Sequence, residues 1–397
     1  MMHVAVIGAG AAGCFCAAHL RRRMPDALID VYEAGPKALA KVAVTGGGRC
    51  NLTNSFAGVR SLSDVYPRGE RLMKRALKAF SPEDTWRWFE DEGVPLLLQE
   101  DQCVFPLSQD AMQIVHTLLH AMEGVNLHLN AKFIRLEEGF RLILKDGKQF
   151  SADRVVITTG GAPKGLPMLD GWDLEMVPPV PSLFTFTVRD SALRSLMGLV
   201  ADASVSLAGT RFRASGPLLI TDWGLSGPAI LTLSSHAARY LAEAGYTARL
   251  SINWRNAPED SVRKEIAAIA AANPRKFVAS VHPDGMQSRL WEMLLNKAGF
   301  RREMRWGEMG NRGLNRLVSA LTQDGYTLSG KFPFREEFVT CGGVSLTNIN
   351  LSTLECKHYP GLYFAGEVLD VDAVTGGFNL QAAWSMGYVA AQSIAGS

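Results

Sequence analysis

No apolar stretch in this 397-residue chain approaches the length of a membrane span. Neither sign of charge dominates: 41 Lys and Arg stand against 39 Asp and Glu, a formal +2. The first absence argues against a membrane protein, and the second gives no net pull toward nucleic acid or an anionic surface. Cysteine is sparse as well. Cys14, Cys16, Cys50, Cys103, Cys341 and Cys356 include no CxxC pair and no regular spacing. That pattern speaks against zinc and for free thiols in a reducing compartment. The eight histidines form no ligand set, since His116 and His120 stand at i, i+4 with no third partner and no HExxH around them. There is no internal repeat, no low-complexity segment and no charged leader before the first strand. These absences point to a metal-free cytoplasmic protein with no membrane partner, for which a nucleic acid is a poor first choice of partner.

Glycine carries the positive signal. Residues 4–7, VAVI, form an apolar run suited to a buried parallel strand, and residues 11–20 carry the small and apolar side chains of a helix packed on a sheet. Between them Gly8, Gly10 and Gly13 spell GxGxxG. The first glycine permits the tight turn, the second lets the backbone approach a pyrophosphate, and the third lets helix and strand pack closely. Ala11 and Ala12 open the helix, whose free N–H groups face the phosphates. A second strand follows at residues 28–32, with Glu33 at its end at the distance from the glycine loop where a carboxylate meets a ribose 2′-OH and repels a 2′-phosphate. The ligand expected is an adenosine diphosphate with something attached: FAD or NAD.

A second cluster, TGGGRCNLTN, places Gly46, Gly47 and Gly48 before Arg49, Cys50 and Asn51, where a nicotinamide dehydrogenase needs no loop but a longer cofactor does. Near the end of the chain, GLYFAGEVLDVDAVTGGFNLQAAW repeats the pattern: an apolar strand, a Gly366-Glu367 turn, then Gly376-Gly377 entering a small-residue helix. The start of such a helix offers N–H groups to an electron-rich ring edge. Cys50 has no partner cysteine for disulfide exchange and reads as a small buried residue. Trp86, Trp88 and Phe89 read as core aromatics, and Arg21-Arg22-Arg23 as a solvated helix end.

Together with VVITTGG at residues 155–161 and GLSGPAIL at 224–231, these motifs follow one order along almost the whole chain. In that order they resemble the YhiN/BaiN-like NAD(P)/FAD-dependent oxidoreductases, a family that includes sequences called aminoacetone oxidase family FAD-binding enzymes. The resemblance implies an α/β protein: a glutathione-reductase-like FAD-binding Rossmann domain interrupted by an inserted β-barrel that carries a helical subdomain. It implies that FAD is held non-covalently. Gly8, Gly10, Ala11, Ala12 and Gly13 would cradle the pyrophosphate, with Glu33 and Ala34 at the ribose, and Lys41, Gly47, Gly48, Arg49, Cys50 and Asn51 at the phosphate and ribityl region. Phe133 would meet the adenine through its backbone, beside Thr159 and Gly160. Gly366, Glu367, Gly377, Asn379 and Leu380 would line the ribityl chain and the pyrimidine edge.

The cofactor motifs leave a central span without any, so the division expected is 1–185 with 337–397 for the FAD-binding domain, 186–257 with 323–336 for the barrel, and 258–322 for the helical subdomain. The prolines at 178, 179 and 181 mark the first crossing. The reaction expected is hydride or electron transfer at flavin N5 on a small organic molecule. With no second GxGxxG, either NAD(P)H binds transiently as a reductant, or an amine-type substrate itself reduces the flavin. A tRNA-modifying flavoprotein, with Arg211, Arg213, Arg301, Arg302, Arg305, Arg312 and Arg316 as an RNA face, and a non-catalytic flavin sensor are the alternatives.

Overall fold

Strand β1 (His3–Ile7) is the middle strand of a five-stranded parallel sheet in the computed structural model, which describes residues 1–161, 165–331 and 339–396. It is flanked by β2 (Leu28–Tyr32), with β3 (Asn126–His128) beyond it, and by β4 (Arg154–Ile157), with β5 (Leu362–Phe364) beyond that. Ala5 pairs with Asp30 on one side and Val155 on the other, and residues 4–7 are buried on both faces, which is why the run does not alternate. Helix α1 (Ala11–Arg23) returns from β1 and packs against α2 (Phe378–Ala395). The two helices meet backbone to backbone, because a Cβ on Gly387 would stand 2.7 Å from the Ala12 carbonyl oxygen. Both helices are buried on most sides, so their apolar residues run nearly all round.

A three-stranded antiparallel sheet, Phe133–Glu137, Arg141–Leu144 and Gln149–Ser151, packs on the β2 side, where the Tyr32 ring stacks on Phe150 at 4.8 Å and meets Phe133 edge-on at 5.0 Å. Trp88 and Phe89, on the helix Pro82–Asp91, are core residues around Phe15. That helix starts with a capping box, in which the Ser81 and Asp84 side chains each accept the other's backbone N–H.

The chain forms two compact units, Met1–Pro181 with Val339–Ser397, and Ser182–Phe338. The second unit holds a closed six-stranded barrel built from Phe186–Val188, Gly224–Ser226, Arg213–Ile220, Val200–Leu207, Thr247–Asn253 and Asp324–Lys331, in that order around the ring. The barrel closes tightly at Gly224, where a Cβ would meet the Phe186 carbonyl oxygen at 2.3 Å. Helices Glu259–Ala272, Ser288–Lys297 and Gly310–Thr322 share one apolar cluster with the barrel strands, Trp291, Leu294, Leu317 and Leu321 packing with Leu250, Ile252 and Leu328. Buried Asp324 joins strand to helix: it accepts from Trp254 Nε1 at 2.9 Å and from the Tyr326 hydroxyl at 2.6 Å, and it pairs with Lys297. The expected boundary at 336/337 lies outside the described residues. Among the described residues, no helix is long and apolar enough to cross a membrane.

Candidate functional site

The site is built at the carboxyl ends of the parallel strands. Gly8 follows β1 with φ +111, and its N–H donates to Tyr32 O at 2.8 Å. A Cβ on Gly8 would meet Thr158 O at 2.4 Å, and one on Gly13 would meet Gly8 O at 2.0 Å, so both positions exclude a side chain for packing reasons. Gly10 differs: nothing lies within 4 Å of where its Cβ would be. It caps α1, and the first intrahelical bond runs from Cys14 N to Gly10 O at 2.9 Å. The amides of Ala11, Ala12 and Gly13 therefore have no intrahelical acceptor, and the turn before them is open at Gly10, an arrangement that fits a diphosphate.

Glu33 reaches back to this turn. One carboxylate oxygen accepts from the Ala9 amide at 3.0 Å and the other from the Gly35 amide at 2.8 Å, while Ala34 between them is exposed. The glycine loop and the strand-end carboxylate are thus one hydrogen-bonded unit. Phe133 belongs to the aromatic cluster around Tyr32, and a β-bulge separates it from Arg135 in its pairing with the next strand.

The second glycine run turns left-handed at four positions, Gly46, Gly47, Gly48 and Cys50, with φ between +58 and +84. Arg49 closes the turn: its Nε donates to Gly46 O at 3.2 Å and its guanidinium lies 4.6 Å from the Phe105 ring centre. Cys50 is fully buried, and burial pushes its thiol up to about 12, so it holds its proton at neutral pH. Cys103 is pushed up to about 11 by the same cause.

The third group meets the first two. A Cβ on Gly366 would stand 2.9 Å from the Ala12 side chain. Glu367 lies 3.6 Å from Lys41 Nζ, accepts from the Thr340 amide at 2.7 Å, and stands 3.7 Å from the Cβ direction of Gly160, next to exposed Thr159. Gly377, with φ +91, caps α2, and a Cβ there would meet Thr53 O at 2.3 Å. The first helical bond runs from Gln381 N to Gly377 O, which leaves the amides of Phe378, Asn379 and Leu380 without an intrahelical acceptor. Asn379 spends its side chain on the loop before it, accepting from Ala373 N at 2.9 Å and donating to Ala373 O at 3.0 Å.

Several residues that sequence reasoning missed hold this arrangement. Arg68 forms a bidentate pair with fully buried Asp372, and the Tyr66 hydroxyl donates to Phe378 O at 3.0 Å. Thr53 and, on α2 itself, Gln381 and Ser385 form a buried polar chain, which Thr85 meets from the helix Pro82–Asp91. Nothing in their spacing marks them, because partners about 300 positions apart leave no local pattern. Among the described residues, no group of three or more His, Cys, Asp or Glu side chains could hold a metal ion.

A parallel sheet with a glycine loop and acidic strand end at its carboxyl edge, joined to a barrel unit, defines a dinucleotide-binding oxidoreductase of the Rossmann type. The chain belongs to the HI0933-like family, whose Rossmann-domain model matches residues 2–393, and is an FAD-dependent oxidoreductase. It is 31% identical over 406 residues to a ribosomal RNA dihydrouridine synthase of Escherichia coli K12, covering 98% of this chain and 97% of that one. It is 28% identical over 416 residues to a 3-dehydro-bile acid delta(4,6)-reductase of Clostridium scindens, covering 100% and 99%. The fold is shared with the 3-ketosteroid delta1-dehydrogenase of Sterolibacterium denitrificans, at a TM-score of 0.50 and 14% identity with both chains covered completely.

Proposed function

We propose that this protein is an FAD-dependent reductase that saturates a carbon–carbon double bond conjugated to a carbonyl group. One observation carries the reading: the relatives named for dihydrouridine synthesis and for bile-acid Δ4,6 reduction, each matched over nearly its full length, both act on an alkene polarised by a ring carbonyl. Bound FAD would supply the two electrons, as hydride from ring N5 to the alkene carbon remote from the carbonyl, and a proton from water would complete the adjacent carbon. The chain's own task is to bind and orient. Gly8, Gly10 and Gly13 with the amides of Ala11 and Ala12 hold the pyrophosphate, Glu33 accepts from the adenosine ribose, Lys41 and Glu367 flank the ribityl chain with the 47–51 loop, and the start of α2 meets the electron-rich edge of the ring. NAD(P)H serves as a transient reductant, since the sequence holds no second GxGxxG unit for it.

A second reading places the reducible ring on RNA, and the charge distribution favours it over the even balance of the whole chain. Residues 182–338 carry 20 Lys and Arg against 14 Asp and Glu, a formal +6, so the remainder carries −4. The test is anaerobic stopped-flow. FAD-loaded protein reduced with NADH or NADPH is mixed with a 3-oxo-Δ4 steroid, with uridine-bearing ribosomal RNA, or, in the oxidised form, with a primary amine. Reoxidation by a conjugated alkene supports the proposal, and the RNA arm alone should weaken steeply with salt. Bleaching by the amine, with no reoxidation by either alkene, overturns it.

A further inference from the structure

Four consecutive residues after the second glycine run are each bonded to the start of α2. With the Asn51 amide assigned by its partners, a donor on one side and an acceptor on the other, its Oδ1 accepts from the Gly377 amide at 3.2 Å and its Nδ2 donates to Thr53 O at 3.1 Å. Leu52 O accepts from Trp384 Nε1 at 3.0 Å, Thr53 Oγ1 donates to Gln381 Oε1 at 2.5 Å, and Asn54 Nδ2 donates to Gly376 O at 3.0 Å. The Thr53 to Gln381 contact joins two buried polar side chains, both residues being at most 1% exposed. Thr85 Oγ1 donates to the same Oε1 at 2.9 Å, and Gln381 Nε2 donates to Ser385 Oγ at 3.0 Å.

An amide so deep costs free energy unless its groups are bonded, and the surrounding hydroxyls do not depend on it. Thr53 has Asn54 O at 3.4 Å, Thr85 has Ser81 O at 3.2 Å, and Ser385 donates to Phe80 O at 2.7 Å. An apolar side chain of the same length would leave every one of these hydroxyls an acceptor. What Gln381 adds is a fixed distance between strand Thr53–Asn54 and the first turn of α2, the turn that carries the amides of Phe378, Asn379 and Leu380. The favourable field of a helix end fades within one turn, so the setting of that turn governs how strongly it acts on a nearby charge.

We propose that Thr53 and Gln381 are positioning residues that set how strongly the start of α2 favours the reduced, anionic flavin over the oxidised one. The inference rests on the reading above that this helix end meets the flavin. Gln381→Met and Thr53→Val are expected to weaken binding of reduced FAD about tenfold more than binding of oxidised FAD. For the two-electron couple that is a fall of about 30 mV in potential. Thr85→Val, which touches the same Oε1 from another helix, should lower the melting temperature and leave the potential unchanged. The measurements are the reduction potential and visible spectrum of FAD-saturated protein and the melting temperature of the FAD-free chain. Melting temperatures that fall while both potentials stay at the wild-type value overturn the proposal alone, and wild-type protein that binds no FAD overturns it together with the functional reading. Should Gln381→Met fail to fold, Thr53→Val carries the same test.

Discussion

Glu33 shows how one side chain serves two ends. Its two oxygens already accept from the Ala9 and Gly35 amides, and each keeps a further lone pair for a ribose hydroxyl. Glu33→Ala should therefore weaken FAD binding by roughly one to two powers of ten and also lower the stability of the FAD-free chain. Glu33→Gln should fall between, because its NH2 faces a backbone donor where an oxygen now accepts. FAD titration and melting of both forms check this, and a stable FAD-free Glu33→Ala would leave the carboxylate no part in holding the loop. His19 gives a pH effect. It is buried among Phe15, Phe80, Trp88 and Tyr388, and burial, helped by Arg22 and Arg23, pushes its imidazole down to about 3. The unfolded chain takes up a proton near pH 6.5 that the folded chain refuses, so stability should fall as pH drops below 6.5, by up to ~1.4 kcal/mol per unit until about pH 3. Denaturant unfolding of wild type and His19→Phe between pH 4 and 7 measures it; the variant should show a shallower slope. All six cysteines are buried, so a thiol reagent should label none of them until the protein unfolds.

At the scale of the element, GxGxxG contains two kinds of glycine. Gly13→Ala would force a methyl into the Gly8 carbonyl, backbone against backbone, and should lower both the melting temperature and FAD affinity. Gly10→Ala has room in the FAD-free chain and a φ of −87 that alanine accepts, so the fold should lose no more than about 1 kcal/mol while the methyl occupies the phosphates' approach. The pair is told apart by melting the FAD-free proteins and titrating each with FAD. The residue string alone does not separate these roles, because it records the glycine but not what stands opposite its missing Cβ. The strand, turn and helix at residues 3–23 were legible, since each is specified by its own neighbours. The crossing of α1 on α2 was not: Gly387 in a run of small residues reads as ordinary helix until Ala12 is found against it.

For the whole molecule, the even overall charge hides an uneven distribution, with a barrel unit at a formal +6. If a uridine in RNA is the substrate, turnover on RNA should fall by orders of magnitude between 50 and 200 mM salt, while turnover on an uncharged enone stays nearly constant. Equal salt response on both substrates would remove the barrel unit's basic residues from recognition.

What the sequence determined by itself is local: a strand running into glycines, an acidic strand end, and the turns that glycine permits. Each depends on residues within a few positions of one another, so the pattern survives in one dimension. The tertiary structure alone decided that Lys41 meets Glu367, that Glu33 holds the Ala9 amide, and that Asn51, Thr53 and Asn54 grip the start of α2. Those pairings join segments up to 328 residues apart. Hydrogen bonds across such distances follow from how the sheet stacks its helices, and they leave no periodicity for a sequence to show.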